Sequence, residues 1–142
     1  MKSTLLVAVQ FAALAGLALA GPLLPRSAVG LGLIGVGIAL GVWALWAMRI
    51  GNLHIRPDVA DGALLTTRGP YQLLRHPMYA ALLLVGLGWL ADAFSVLRLV
   101  LFVTLLVNLV VKLRYEEALL TDGLAGYAAY RGRTWRLIPW VY

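Results

Sequence analysis

Val96-Leu97-Arg98-Leu99-Val100-Leu101-Phe102-Val103-Thr104-Leu105-Leu106-Val107-Asn108-Leu109-Val110-Val111 decides the fold, because it is almost wholly apolar and ends abruptly on Lys112-Leu113-Arg114-Tyr115-Glu116-Glu117. A run of this kind, close to the ~20 residues that cross the hydrocarbon of a bilayer, reads as a membrane helix with its polar end at the interface. Three more apolar stretches precede it, approximately Thr4 to Leu24, Ala28 to Met48 and Met78 to Ala93. Together they predict an all-α integral membrane bundle of four transmembrane helices, since a helix satisfies its own backbone in lipid. Composition agrees: with 62% hydrophobic and 13% charged residues and a mean hydropathy of +0.88, the chain is too apolar for a soluble domain.

The breaks between runs fix the connectivity. Asp92-Ala93-Phe94-Ser95 alone separates the third and fourth runs, which predicts an antiparallel helical hairpin with its turn at the far interface. Gly21-Pro22-Leu23-Leu24-Pro25-Arg26-Ser27 separates the first two, and its prolines end a helix while Ser27 is placed to cap the next. After Glu116 the sequence reads as a helix through Tyr130 broken near Asp122-Gly123, with Tyr127 and Tyr130 on one face. Trp135, Trp140 and Tyr142 fit interfacial anchoring. A chain of 142 residues is expected to form one domain, 1–142, with any active site made from membrane helices and their short extensions.

Charge orients the bundle. Lys2, Arg49, Arg56, Arg68, Arg75, Lys112, Arg114, Arg131, Arg133 and Arg136 fall on the side of the termini and central loop, against Arg26 and Arg98 on the other. The positive-inside rule therefore puts both termini and the central loop in the cytoplasm, with the protein in the inner or cell membrane. Lys2, the apolar run from Leu5 and Ala18-Leu19-Ala20 before Gly21 also resemble a secretory signal, although the chain retains Met1. The net charge of +6 is scattered among loops without interleaved aromatics, so it does not point to nucleic acid. Zero cysteines exclude disulfides, thiolate ligands and a cysteine nucleophile.

Two polar clusters then share the cytoplasmic face: Gly69-Pro70-Tyr71-Gln72-Leu73-Leu74-Arg75-His76-Pro77-Met78-Tyr79 and Arg114-Tyr115-Glu116-Glu117. Charge kept beside lipid is costly without a function or partner, so the pair outlines a site for a charged small molecule. Each piece also has a plain reading. Pro77 suits the first turn of a helix that His76 begins, Glu116 and Glu117 could be salt-bridged to Lys112 or Arg114 at helical spacing, and Asp92 and Arg98 flank the outer turn. Gly30-Leu31-Gly32-Leu33-Ile34-Gly35 matches a dinucleotide-binding pattern but lacks the βαβ context, and reads as close helix packing. His54 and His76 are too few for a metal site without carboxylate help, for which Glu116-Glu117 is the only acidic pair, and no metal is expected.

At Leu65-Thr66-Thr67-Arg68-Gly69-Pro70-Tyr71, Arg75-His76-Pro77-Met78-Tyr79, Glu116-Glu117, Gly126-Tyr127-x-x-Tyr130 and Arg136-Leu137-Ile138-Pro139, the chain resembles the isoprenylcysteine carboxyl methyltransferase and phospholipid methyltransferase group of integral membrane enzymes. The resemblance runs from about Asn52 to Pro139 and is carried by the ordered set of motifs. It implies S-adenosylmethionine as cofactor, held at the cytoplasmic end of the last helices under the C-terminal segment. Carried over, it places Arg75, His76, Tyr79, Glu116 and Glu117 at the cofactor, with Tyr127, Tyr130 and Arg136 closing it from the tail. Lys112 stands where an Arg often precedes the paired glutamates, and Ala81 where the group often has Gly.

The residue chemistry is compatible with that placement. A sulfonium and an α-amino group are cations for carboxylates, and a cofactor carboxylate suits Arg. The implied activity is methyl transfer to a lipophilic or lipid-modified acceptor entering from the bilayer. Arg136, Arg75 or Arg56 would orient a carboxylate acceptor, and His54 or Glu117 would take the proton of an amine. Two other readings stand beside it: a membrane reductase using a nicotinamide cofactor on a lipid double bond, and a non-catalytic scaffold or transporter subunit.

Overall fold

The computed structural model describes residues 2–48, 65–124 and 126–142, and is all-helical over them. Helices α1 (Lys2–Leu19), α2 (Ala28–Met48), α3 (Pro77–Asp92) and α4 (Val96–Gly123) are followed by the short α5 (Tyr127–Arg131), with a 3₁₀ turn at Gly69–Gln72 before α3. His54 and Arg56, with Asn52, Asp58 and Asp61 of the central loop, lie outside the described residues.

Local chemistry sets the ends. Pro77 occupies the first position of α3, where its missing N–H costs nothing, and His76 is the residue before it. Ser95 caps α4 by accepting from the Arg98 N–H at 3.1 Å, and Ser27 does the same for Gly30 at 3.1 Å. The expected hairpin turn at Asp92–Ser95 is therefore present, as is the helix break after Asp122-Gly123. There Gly126 takes a left-handed conformation (φ 83°) that lets the chain reverse into α5.

Two helices, α2 and α4, are long and apolar enough to cross a membrane. The apolar parts of α1 and α3, Thr4–Leu19 and Pro77–Asp92, fall short of the usual length. In α3 the cause is visible: Arg75-His76 and Asp92 bound the apolar run on both sides. The outward faces of the long helices carry exposed Val36, Ile38, Val42, Leu97, Val100, Val103 and Val107. Apolar surface turned outward on this scale belongs against lipid.

Helix α3 is central, packing along α2 and also meeting α4 and α1, while α1 lies mainly on α4. The α2–α3 contact is close because of glycine: a Cβ at Gly37 would lie 2.9 Å from the Ala81 carbonyl oxygen, and one at Gly88 would lie 2.9 Å from that of Gly30. The α1–α4 seam is built from Ala13, Leu17, Leu105 and Leu109. A second cluster, with Leu74, Ala80, Leu113 and Leu137 at its centre, ties the tail to the ends of α3 and α4.

At the far end, Arg98 is fully buried. Its guanidinium donates to the carbonyls of Trp89 (2.6 Å), Ala93 (3.3 Å) and Pro22 (3.3 Å), and the Asp92 carboxylate accepts from the N–H groups of Arg26 and Ser27, both at 2.7 Å. These two residues bind the α1–α2 connection to the α3–α4 turn.

Candidate functional site

The site is made where the chain returns on itself. Residues 73–76, the extended entry to α3, pair with 135–136 of the tail: Trp135 N donates to Leu73 O (3.0 Å), Arg75 N to Trp135 O (2.7 Å) and His76 N to Arg136 O (3.0 Å). This short parallel pairing brings Arg75 and His76 beside Arg136, and α4 passes underneath with Glu116 and Glu117.

Glu117 is buried and holds a guanidinium on each oxygen, Arg75 Nε on Oε1 at 2.8 Å and Arg136 Nε on Oε2 at 2.9 Å. Its ion partners therefore come from the α3 entry and the tail; Lys112 and Arg114, the neighbours at helical spacing, are not among those bonds. Arg75 spends its other donors on the tail, bonding the carbonyls of Arg131 (2.9 Å) and Thr134. Glu116 accepts from the Tyr79 hydroxyl at 2.5 Å. The His76 ring stacks on Tyr79, with centroids 5.4 Å apart and planes 2° from parallel. Its Nδ1 lies 3.6 Å from Glu116 and its Nε2 3.4 Å from Glu117.

Helix α5 supplies the other wall. Tyr127 and Tyr130 are buried, with ring centroids 6.0 Å apart. The Tyr130 hydroxyl donates to the Tyr71 carbonyl at 2.6 Å, so this residue ties α5 to the 3₁₀ turn. Buried hydroxyls of Tyr71 and Tyr127, and the buried Nε2 of His76, have no hydrogen-bond partner among the described residues. Burial raises all three phenols: Tyr130 to about 12, with Tyr71 and Tyr127 raised further, the latter also by the Glu117 charge. Burial works against the charge of Arg136, but the bond and charge of Glu117 outweigh it and hold the guanidinium above its usual value. A recess of about 310 Å³ opens beside Glu117, lined by Arg114, Ala118, Thr121, Asp122, Arg131 and Arg136.

The structure thus brings together Arg75, His76, Tyr79, Glu116, Glu117 and Arg136, with Tyr127 and Tyr130 adjoining. His54 lies outside the described residues. Sequence reading overlooked Thr134 and Gln10 as parts of this region, and placed Tyr71 in the first polar cluster without giving it a role. Gln10 had a signal: it is the one polar side chain between Thr4 and Leu19, and an isolated amide in an apolar helix asks for a partner.

Chemically, the arrangement offers two carboxylates to cations, guanidiniums to anions, and unsatisfied hydroxyls to a polar ligand. The sequence model of the family described as phospholipid methyltransferase matches residues 25–125, which takes in α2, α3, α4 and both polar clusters. Neither the search of curated proteins nor that of solved structures gave a match.

Proposed function

We propose that this chain, which belongs to the phospholipid methyltransferase family and is a membrane protein, transfers a methyl group from S-adenosylmethionine to a lipophilic acceptor that enters from the bilayer. The observation that carries the reading is the convergence of Glu116, Glu117, His76 and Tyr79 under the tail, where buried donors and acceptors remain unmatched. We further read all four long helices as membrane-embedded, with both termini and the site on the cytoplasmic side, as the distribution of Lys and Arg favours.

The residues fit a ligand whose sulfonium cation lies between a zwitterionic amino acid and an uncharged nucleoside. When bound, the sulfonium supplies an electrophilic methyl carbon; the acceptor's lone pair forms the new bond as the carbon–sulfur electrons leave with sulfur. Glu116 has one oxygen on Tyr79 and the other directed to His76 at 3.6 Å, which leaves it able to hold a cation. Glu117 has both oxygens engaged, and its work is to fix Arg136, whose remaining donors can orient a carboxylate. Tyr71 and Tyr127 offer neutral hydroxyls to ribose or purine atoms. For a transfer that needs no covalent intermediate, alignment and exclusion of water do most of the catalysis. An amine acceptor also needs a proton acceptor, a role we assign to His76 or, beyond the described residues, to His54.

Isothermal titration of detergent-purified protein with S-adenosylmethionine and S-adenosylhomocysteine, with NADPH in parallel, tests the reading. Micromolar binding of the first two, weakened at least about tenfold (1.4 kcal/mol) by Glu116→Gln, is the expected result. Binding of NADPH alone would replace methyl transfer by reduction, and binding of none would leave a non-catalytic role.

A further inference from the structure

The α1–α4 seam holds three polar side chains, Gln10, Asn108 and Lys112, where an apolar bundle needs none. Asn108, Lys112 and Glu116 recur every fourth residue, which puts them on one face of α4. Each has its own partner: Asn108 Nδ2 donates to the Leu6 carbonyl of α1 at 3.0 Å, Lys112 Nζ to Gln10 Oε1 of α1 at 3.1 Å, and Glu116 accepts from Tyr79. Gln10 is 6% exposed and Lys112 2%. The Lys112 ammonium also sits 5.1 Å from the centroid of the Tyr79 ring. That ring is the one stacked on His76 and bonded to Glu116.

A buried ammonium pays heavily in desolvation, and a leucine would seal the seam at lower cost. What the lysine adds is direction: an ammonium held over a phenol ring in a dry seam fixes that ring by cation–π attraction. We propose that Gln10 and Lys112 are positioning residues of the site. Gln10 fixes the lysine head, the lysine fixes the Tyr79 ring, and the ring presents Glu116 and His76. Helix α1, which lies outside the residues matched by the family, thereby supplies part of the site's geometry. The inference rests on the cofactor reading above.

The experiment is a double-mutant cycle read by titration of S-adenosylhomocysteine. Lys112→Met is expected to weaken binding about tenfold, within the range of cation–π contacts between exposed and desolvated sites, and Gln10→Leu several-fold. Lys112→Arg, which keeps the cation, is expected to stay within about threefold of wild type. In a Tyr79→Phe background, where the link to Glu116 is cut, Lys112→Met is expected to have little further effect. If the two substitutions are instead additive, or Lys112→Met and Gln10→Leu both bind like wild type, the inference is overturned while the cofactor reading stands. Should Lys112→Met not fold, Gln10→Leu and Lys112→Arg decide by the same criteria. No binding by the wild type would overturn the cofactor reading, and the inference with it.

Discussion

Glu117 is where three separate parts of the chain meet. It holds Arg75 from the α3 entry on one oxygen and Arg136 from the tail on the other, so its charge ties the tail to α3 and α4. Replacing one member of a buried ion pair leaves the other charges uncompensated, at a cost of roughly 3 kcal/mol or more. Glu117→Gln is therefore expected to loosen the tail. Amide hydrogen exchange at 135–142 should speed up, and trypsin should cut after Arg133 faster, while α4 keeps its protection. An unchanged tail in both measurements would mean that the backbone pairing at 73–76 holds it without the carboxylate. The resemblance brings Arg75, Glu117 and Arg136 to one site, but the ion pairs between them are not legible from the sequence. Helical spacing nominated Lys112 and Arg114 as partners, whereas the real ones are 42 and 19 residues away, a distance that only the fold can bridge.

Elements were more legible than contacts, because helix ends are decided locally. Ser27, Ser95, Pro77 and Gly126 each announce a boundary by a property of one residue, a capping oxygen, a missing N–H or freedom to turn left. The glycines of α2 were legible as packing residues but not as to which ones pack. Gly37 faces α3 at close range, while Gly32 has nothing near the place a Cβ would occupy. That difference gives a paired test. Gly88→Ala would drive its methyl to 2.6 Å from Ile34 Cγ1 and 2.9 Å from the Gly30 carbonyl, and is expected to cost about 1–3 kcal/mol as overpacking. Gly32→Ala, on the outward face, is expected to be neutral or slightly stabilising, since Ala is the better helix former. Thermal melts in one detergent compare the two, and equal losses would refute the assigned packing face.

For the whole molecule, the open question is orientation, and the absence of cysteine makes it directly measurable. Single cysteines at exposed Phe94, in the α3–α4 turn, and exposed Arg133, in the tail, report opposite faces if α3 and α4 both cross. With the site cytoplasmic, an impermeant maleimide added to intact cells should label position 94 and reach position 133 only after permeabilisation. The reverse pattern would invert the molecule, and labelling of both would mean that α3 and α4 do not cross as a pair. Apolarity and charge bias give such a global arrangement as an expectation from sequence, and the shortness of the α3 run is legible there too, since Arg75-His76 and Asp92 bound it.

The pairing of 73–76 with 135–136 closes the chain into a ring that runs up α3, through the turn held by Arg98, and back down α4. Most of the entropy of closing such a ring is spent in its first joining and grows only slowly with its length. The helices, held by lipid and by one another, have no need of the clasp to stay in place. A perturbation that opens it is therefore expected to abolish ligand binding at the proposed site without expelling the protein from the bilayer, and restoring conditions would let the same two segments find each other again. Loss of the proposed site and loss of membrane residence are then expected as two separate events.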